Sequence, residues 1–370
     1  MSETLVQKFL EKYGLACARF HPQALLRDYC EEMEHGLNQS GSLKMLPAYI
    51  SADKPLRYDQ AALVLDAGGT HLRCALVTVP KQGKPLLECF HQCEMPGLKK
   101  TLSAAEFFCE IARFMAEVLE EFYQRYRRGP LCLGFCFSYP SEITMSETGD
   151  LDGRLLQWSK EIKVPELEGK FVGSGLLSVL RETFGDKAPC HVCVINDTVA
   201  TLLAGRSCAE DADYSDFIGY ILGTGINSCY AENSENIRSL DPRYRAKQSI
   251  INMESGNYNR FPRSRIDEEY DRMTQHPGTY LQEKSCSGRY WGELVGVVLR
   301  TAAQEGLLPK ALADLPLQNS ATMNALLLYP GGPLAAANPL ALWLSEYDID
   351  EDARECIYFL TEAMLERNAM

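Results

Sequence analysis

Two segments of this 370-residue chain share one pattern, in which an apolar run meets a glycine turn and a second apolar run follows. The first is LVLDAGGTHLRCALV, at residues 63–77, and the second is FIGYILGTGINSCYAE, at residues 217–232. Glycine permits positive φ and leaves room for a ligand beside the backbone, and a tight turn points successive amide N–H groups at one spot. Each pattern therefore predicts a β-hairpin, whose turn is either a plain connection or a cradle for phosphate.

The segments around the two hairpins indicate an α/β protein. CLGFCFSYP and HVCVIND have the apolar character of strands, and TLSAAEFFCEIARFMAEVLEEFYQRY has apolar residues at helical spacing. VATLLAG and most of the chain after residue 300 are also predicted to be helical, and LLRDYCEEMEHGL predicts a helix that stops at Gly36. Two hairpins, each within its own sheet and helices, predict two related α/β halves.

Composition limits the possible partners. The net charge is −13 with 24% charged residues, which argues against non-specific binding to nucleic acid or to an anionic membrane. A phosphate site in so acidic a chain must use backbone amides, a metal ion or a few placed basic residues. The first residues, MSETLVQKFLEKYG, do not read as a signal peptide, and the 14 cysteines follow no regular framework, so we expect a cytoplasmic protein with free thiols.

A carboxylate stands at the end of the first apolar run. Asp66 lies where phosphates would sit, and a carboxylate there can hold Mg²⁺, usually through water, while the metal bridges phosphate oxygens. Thr70 and Arg73 follow the turn and could contact phosphate oxygens. The segment contains neither GxxxxGK[ST] nor GxGxxG, so it is neither a Walker P-loop nor a Rossmann fingerprint.

Seven motifs then resemble, in one order, those of the hexokinases. DAGGTHLR is similar to their first phosphate loop, LGFCFSYP to their sugar loop, WSK to their Trp-Thr-Lys and INDTVATLLAG to their catalytic segment. LGTGINSCYAE resembles their second phosphate loop, and INMESG and LQEKSCSGRYWGEL resemble their two segments with sugar-binding glutamates.

The resemblance implies a fold of two actin-like ATPase (ribonuclease H-like) domains flanking a cleft, with sugar at the bottom and nucleotide in the mouth. The expected division is an N-terminal helical segment at 1–60 that packs on the large domain, a small α/β domain at 61–196 and a large α/β domain at 197–370. The implied activity is that of an ATP-dependent hexokinase, which transfers the γ-phosphoryl group of Mg-ATP to the 6-hydroxyl of a hexose. Glucose is the leading substrate, and ATP and Mg²⁺ are the expected cofactors.

The resemblance also assigns roles to residues. Asp197 is the expected general base, although an Asn-Asp-Thr sequence after a strand could equally be a helix N-cap. The expected sugar-binding residues are Ser138, Ser159, Lys160, Asn196, Asp197, Asn227, Glu254 and Glu283. The expected nucleotide-binding residues are Asp66, Gly68, Gly69, Thr70, His71, Arg73, Gly223, Thr224 and Gly225, with Asp66 as the magnesium ligand through water.

The sequence departs from the family pattern at several places. His71 stands where the family usually has Asn, Cys136 and Ser159 stand where it has Thr, and Ser255 stands where it has Trp, so the preferred hexose is left open. The chain reaches ERNAM without the further glycine-containing nucleotide loop that family members have there. A catalytically weak or inactive sugar sensor is therefore the alternative expectation, and a chaperone-like or actin-like ATPase ranks last.

Overall fold

The computed structural model describes residues 2–51, 58–82, 84–126, 131–158, 162–207, 214–338, 343–345, 347 and 349–369. The strands are β1 Leu46–Pro47, β2 Ala61–Ala67, β3 His71–Thr78, β4 Leu86–Glu94, β5 Cys132–Phe137, β6 Ser141–Met145, β7 Leu151–Leu155, β8 His191–Ile195, β9 Ile218–Leu222, β10 Ile226–Asn233 and β11 Gln248–Asn252. The α-helices are α1 Ser2–Tyr13, α2 Pro22–Leu37, α3 Ala104–Tyr126, α4 Val172–Phe184, α5 Asp197–Ser207, α6 Arg265–Met273, α7 Leu281–Cys286, α8 Trp291–Gln304, α9 Ser320–Leu327 and α10 Glu351–Ala369. These elements confirm the strands and helices predicted before residue 300, with small differences at their ends. The prediction that most of the chain after residue 300 is helical holds only in part, because residues 305–319 form turns and a short 3-10 helix.

The first lobe is built on a seven-stranded sheet in the order β4-β3-β2-β5-β8-β7-β6. The first glycine segment forms the predicted hairpin, because β2 and β3 pair antiparallel up to Ala67 opposite Leu72. β5 pairs in parallel with both β2 and β8. The apolar faces of α3 and α4 pack on this sheet in one continuous core, which includes Phe107, Phe135 and Leu176.

The second lobe is built on a four-stranded antiparallel sheet in the order β1-β11-β10-β9. The second glycine segment also forms its predicted hairpin, since Leu222 of β9 pairs with Ile226 of β10. Helix α5 packs closely on this sheet at Gly219, where a Cβ atom would lie 2.4 Å from the Thr198 carbonyl oxygen. The chain therefore crosses from one lobe to the other between β8, in the first sheet, and α5, on the second.

A helical layer completes the second lobe. The side chains of α1 pack with those of α6, α8, α9 and α10 around a core that includes Phe9, Trp291 and Leu360. The predicted division, with an N-terminal segment at 1–60 on the large domain and a domain boundary after residue 196, stays a prediction. Within the described residues, every helix is either too short or too polar to cross a membrane.

The predicted helix stop at Gly36 is wrong by one residue. Helix α2 continues through Gly36 to Leu37, and Asn38 is its C-cap. Glycine is needed here for space, because a Cβ atom would lie 2.3 Å from Cγ of Met45 and 2.6 Å from the Leu43 carbonyl oxygen. A sequence pattern cannot distinguish a glycine that ends a helix from one that allows a close crossing.

Candidate functional site

The carboxyl ends of the parallel strands meet at one edge of the first sheet. The register places Asp66 beside Cys136 and Cys136 beside Ile195, after which come Asn196 and Asp197. Burial, followed by the charges of Asp66 and Asp197, raises the pKa of the Cys136 thiol well above its usual value. Both predicted carboxylates therefore lie near one half-buried thiol, at the edge where open α/β sheets bind ligands.

The first glycine turn is held by bonds on both sides. The Gly68 amide donates to the His71 carbonyl oxygen at 3.0 Å, and the Tyr139 hydroxyl donates to the Gly68 carbonyl oxygen at 2.7 Å. Thr70 Oγ1 and Nδ1 of His71 share a hydrogen bond of 2.8 Å, so the unusual histidine orients the threonine hydroxyl. Ser138, just after β5, donates its amide to the Ala67 carbonyl oxygen at 3.2 Å. The sugar loop is thus tied to the phosphate loop.

Asp66 is paired with the arginine of the same hairpin. Arg73 Nη1 donates to Oδ2 of Asp66 at 2.7 Å, and Arg73 Nε donates to Oε1 of Gln92 at 3.0 Å. Among the described residues there is no cluster of three or more His, Cys, Asp or Glu side chains arranged to hold a metal ion. A lone carboxylate suits magnesium that arrives with a nucleotide, since that ion keeps several waters and takes its other ligands from phosphates.

The second glycine turn is fixed by the loop before α8. The Gly288 amide donates to the Gly223 carbonyl oxygen at 2.7 Å, and the Arg289 amide donates to the Thr224 carbonyl oxygen at 3.0 Å. A Cβ atom at Gly225 would lie only 2.4 Å from Oε2 of Glu283. The same Oε2 atom of Glu283 accepts a hydrogen bond of 3.1 Å from the backbone amide of Ile226, the first residue of β10. Glycine at this position therefore lets a predicted sugar-binding carboxylate approach the turn.

A network of amide and carboxylate side chains joins the two lobes. Asn227 Nδ2 donates to Oδ1 of Asn252 at 2.8 Å and lies 3.4 Å from Oδ1 of Asn196. Asn252 Nδ2 donates in turn to Oε1 of Glu254 at 2.9 Å. Glu254 is buried and has left-handed backbone angles of φ 54° and ψ 48°. The structure thus brings together three residues predicted from separate motifs.

The cap of α5 is Asn196 rather than Asp197. Asn196 Oδ1 accepts from the Thr198 amide at 2.9 Å, and the Asn196 carbonyl oxygen accepts from the Ala200 amide at 3.0 Å, as an N-cap residue does. Asp197 is the first residue of the helix, half-buried, and its Oδ1 also lies 2.9 Å from the Thr198 amide. The N-cap alternative therefore applies to its neighbour, and Asp197 begins the helix where the chain crosses between the lobes.

Both glycine turns face one cleft between the lobes, with a volume of about 970 Å³. Gly69 and Thr70 line it from the first lobe, and Thr224, Gly225 and Glu283 line it from the second. Two predicted sugar-binding residues, Ser159 and Lys160, lie outside the described residues.

Several residues in or beside this cleft escaped the sequence-based prediction. Asn252, the last residue of β11, bridges Asn227 and Glu254, and its signal was its place two residues before Glu254 in the same motif. Gln157 and Tyr280 also line the cleft, and no motif singled them out. Arg289 follows the Gly288 that binds the second turn, and its guanidinium donates to Oε1 of Glu293 at 2.7 Å.

Comparison with known proteins identifies the family. One hexokinase family model matches residues 6–207, more than half of the chain, and a second matches residues 217–370. The chain belongs to the hexokinase family. Its fold is the one predicted, in which two α/β domains of the actin-like ATPase type flank a cleft.

Individual hexokinases are similar over most of this chain. Hexokinase-2 of Solanum tuberosum is 33% identical over 292 residues, which are 75% of this chain and 56% of the relative. The hexokinase of Schistosoma mansoni is 32% identical over 299 residues, or 77% of this chain and 62% of the relative. Human hexokinase HKDC1 is 31% identical over 294 residues, and only 31% of its length is covered. The chain thus spans from about a third to about three-fifths of these relatives.

One solved structure can be superposed on the whole length of this chain. The hexokinase of Schistosoma mansoni, determined in complex with glucose, matches with a TM-score of 0.77 and 26% identity, over 100% of this chain and 84% of that one. A second hexokinase crystal structure matches with a TM-score of 0.75 at 24% identity, which bears on the fold alone.

Proposed function

We propose that this chain is an ATP-dependent hexose kinase that phosphorylates the 6-hydroxyl of its sugar, with glucose as the leading substrate. The observation that carries the proposal is one cleft lined by both glycine turns and by Glu283, next to the polar network of Asn196, Asn227 and Glu254. Phosphoryl transfer needs donor and acceptor held side by side, and this arrangement offers a phosphate cradle beside a polar pocket.

The polar network suits a sugar. Amide side chains donate and accept, and one carboxylate accepts two neighbouring hydroxyls, so a neutral polyhydroxyl ligand can be bound without apolar area. The bonds from Asn227 to Asn252 and from Asn252 to Glu254 hold these groups in place before the sugar arrives. Glu283 is held in the same way by the amide of Ile226. Preorganised side chains lower the entropic cost of binding.

The nucleotide side uses few basic groups. Amides of the two glycine turns would bind the phosphates, and Asp66, oriented by Arg73, would hold magnesium through water. Magnesium that arrives with ATP neutralises charge on the phosphoryl group that is transferred. This division of labour suits a chain of net charge −13, which cannot attract phosphates through its overall charge.

Asp197 is proposed as the general base. A sugar hydroxyl is a weak nucleophile near neutral pH, so a positioned carboxylate must accept its proton as the phosphoryl group arrives. Asn196 serves as the N-cap, and Asp197 stands next to it at the crossing between the lobes. Closure of the lobes would exclude water, which competes with the sugar as phosphoryl acceptor.

The substitution Asp197→Asn tests this proposal. Asparagine keeps an oxygen for the Thr198 amide and removes the basic carboxylate. We expect glucose 6-phosphate formation from glucose and Mg-ATP to fall by about 100-fold or more, because general-base catalysis contributes on that order. Glucose should still raise the melting temperature of the variant.

Near-normal turnover in Asp197→Asn would show that Asp197 is not the general base. A wild-type protein that is stabilised by glucose yet forms no product would favour the alternative, a sugar-binding protein without efficient turnover.

A further inference from the structure

One side-chain contact crosses the cleft. Gln157 follows β7 of the first lobe, Tyr280 precedes α7 of the second, and Nε2 of Gln157 donates to the Tyr280 hydroxyl oxygen. Both residues line the cleft that the two glycine turns share. The contact therefore joins the two lobes at the cleft that they share.

Tyr280 has an unusual backbone conformation. Its φ of 53° and ψ of 42° lie in the left-handed region, which bulky residues rarely adopt. Glu254 has nearly the same angles, φ 54° and ψ 48°, within the polar network. Strained non-glycine residues persist only where their surroundings fix them, and they concentrate at ligand sites.

A buried ion pair fixes the loop that carries Tyr280. Lys284 Nζ donates to Oδ1 of Asp271 at 2.5 Å and to the His276 carbonyl oxygen at 2.6 Å, and both charged side chains are nearly inaccessible to water. The Gly278 amide donates to the other Asp271 oxygen at 2.8 Å. The loop thus has bonds on both sides of its bend, which holds the tyrosine in its strained position.

The surroundings of the Tyr280 hydroxyl are those of the proposed sugar site. Burial, together with the nearby charges of Glu254 and Glu283, raises the pKa of Tyr280 to about 12, so the group stays neutral at physiological pH. A neutral hydroxyl both donates and accepts. Its oxygen accepts from Gln157, which leaves its own proton for an acceptor within the pocket.

We propose that Gln157 and Tyr280 form a clasp that closes the cleft over the bound hexose, with Tyr280 as a positioning residue beside Glu254 and Glu283. This inference rests on the proposed function, since it names the hexose as the ligand that the clasp encloses. A contact that favours the closed arrangement raises the fraction of molecules competent to bind, and the apparent affinity rises in proportion.

The test removes each half of the contact with little change in shape. Tyr280→Phe deletes only the hydroxyl, and Gln157→Met deletes the amide at similar size. We expect glucose to bind each variant about two- to tenfold more weakly, as a neutral hydrogen bond implies. The combined variant should be no weaker than the weaker single variant, because both changes break one contact. If the protein turns over, KM for glucose should rise while kcat changes less than twofold.

Tyr13→Phe is the matched control. The Tyr13 hydroxyl donates to Oε1 of Glu305 at 2.8 Å, which also joins two distant segments but lies away from the cleft. Its loss should leave glucose affinity unchanged.

A readout without sugar separates this inference from the proposed function. Small-angle scattering of the ligand-free protein should give a larger radius of gyration for Tyr280→Phe than for the wild type and for Tyr13→Phe. If the wild type bound no hexose, the proposed function would be wrong. The scattering result would still show whether the contact between Gln157 and Tyr280 holds the lobes together. An unchanged radius of gyration, additive losses in the combined variant, or a fall in kcat at constant KM would each overturn the clasp.

Discussion

The substitution Gly225→Ala displaces the carboxylate of Glu283, which we propose binds the sugar. The new Cβ atom would lie 2.4 Å from Oε2 of Glu283 and 3.3 Å from its Cδ, closer than any real contact allows. Gly225 is outside the left-handed region, so alanine fits its backbone. The carboxylate, at the end of a flexible side chain, must move instead and lose its 3.1 Å bond from the Ile226 amide. Folding should therefore be nearly unaffected while the pocket changes.

The size of the effect follows from the hydrogen bond that the displaced Glu283 carboxylate can no longer make to the sugar. A hydrogen bond to a charged group contributes about 1.5–3 kcal/mol, which corresponds to glucose binding about 10- to 150-fold weaker. Titration calorimetry with glucose measures the dissociation constant directly. Thermal unfolding without sugar should show a melting temperature only a few degrees below that of the wild type, because the Ile226–Glu283 bond is lost while the core is untouched.

Gly223→Ala provides a control in the same turn. Among the residues that the structure describes, no neighbouring atom lies within 4 Å of a Cβ at Gly223, and its backbone is also outside the left-handed region. Its glucose affinity should match the wild type, with any effect confined to the nucleotide. The reasoning fails if Gly225→Ala binds glucose within twofold of the wild type, or if Gly223→Ala weakens glucose binding equally.

Two further predictions concern the ion pair of Arg367 with Asp267 and the thiol of Cys136. Arg367→Met breaks a pair in which the Arg367 and Asp267 side chains are 3% and 4% exposed, so the free energy of unfolding should fall by about 3–5 kcal/mol. The second substitution Asp267→Asn should restore part of this free energy of unfolding, as measured by urea titration. If Arg367→Met alone lost less than about 1 kcal/mol, that result would contradict the burial argument. The raised pKa of Cys136 keeps its thiol protonated at pH 8, so a thiol reagent should label the exposed Cys30, Cys109 and Cys132 first, and Cys136 should react faster only at more alkaline pH. Equal labelling rates by peptide mass mapping would show that Cys136 is neither shielded from solvent nor beside the two carboxylates.

Local patterns predicted the parts of the site that one segment builds alone. The two glycine hairpins and the strand ends at Asp66 and Asp197 follow from apolar runs that meet polar turns. The edge where those strand ends meet depends on the parallel pairing of β5 with β2 and β8, which the α/β pattern allowed but did not specify. Neighbours along the chain thus carry most of the information needed for these features.

Contacts between distant segments could not be predicted in this way. Asn252 accepts a hydrogen bond from Asn227, and Tyr280 accepts one from Gln157, which lies on the other lobe. The partners in each pair are far apart in the sequence, so no helical or strand periodicity indicates that they meet. Gly36 illustrates the same limit in the fold, since its role is set by the side chain of Met45 beyond the helix end.

Phosphorus-31 NMR of the wild-type protein with glucose and Mg-ATP tests the central claim most directly. If the cleft holds both ligands as proposed, a glucose 6-phosphate resonance should grow as the γ-phosphate resonance of ATP declines, with one ADP formed for each sugar phosphate. The absence of sugar phosphate, together with no effect of glucose on the melting temperature, would contradict the assignment of this cleft as a hexose kinase site.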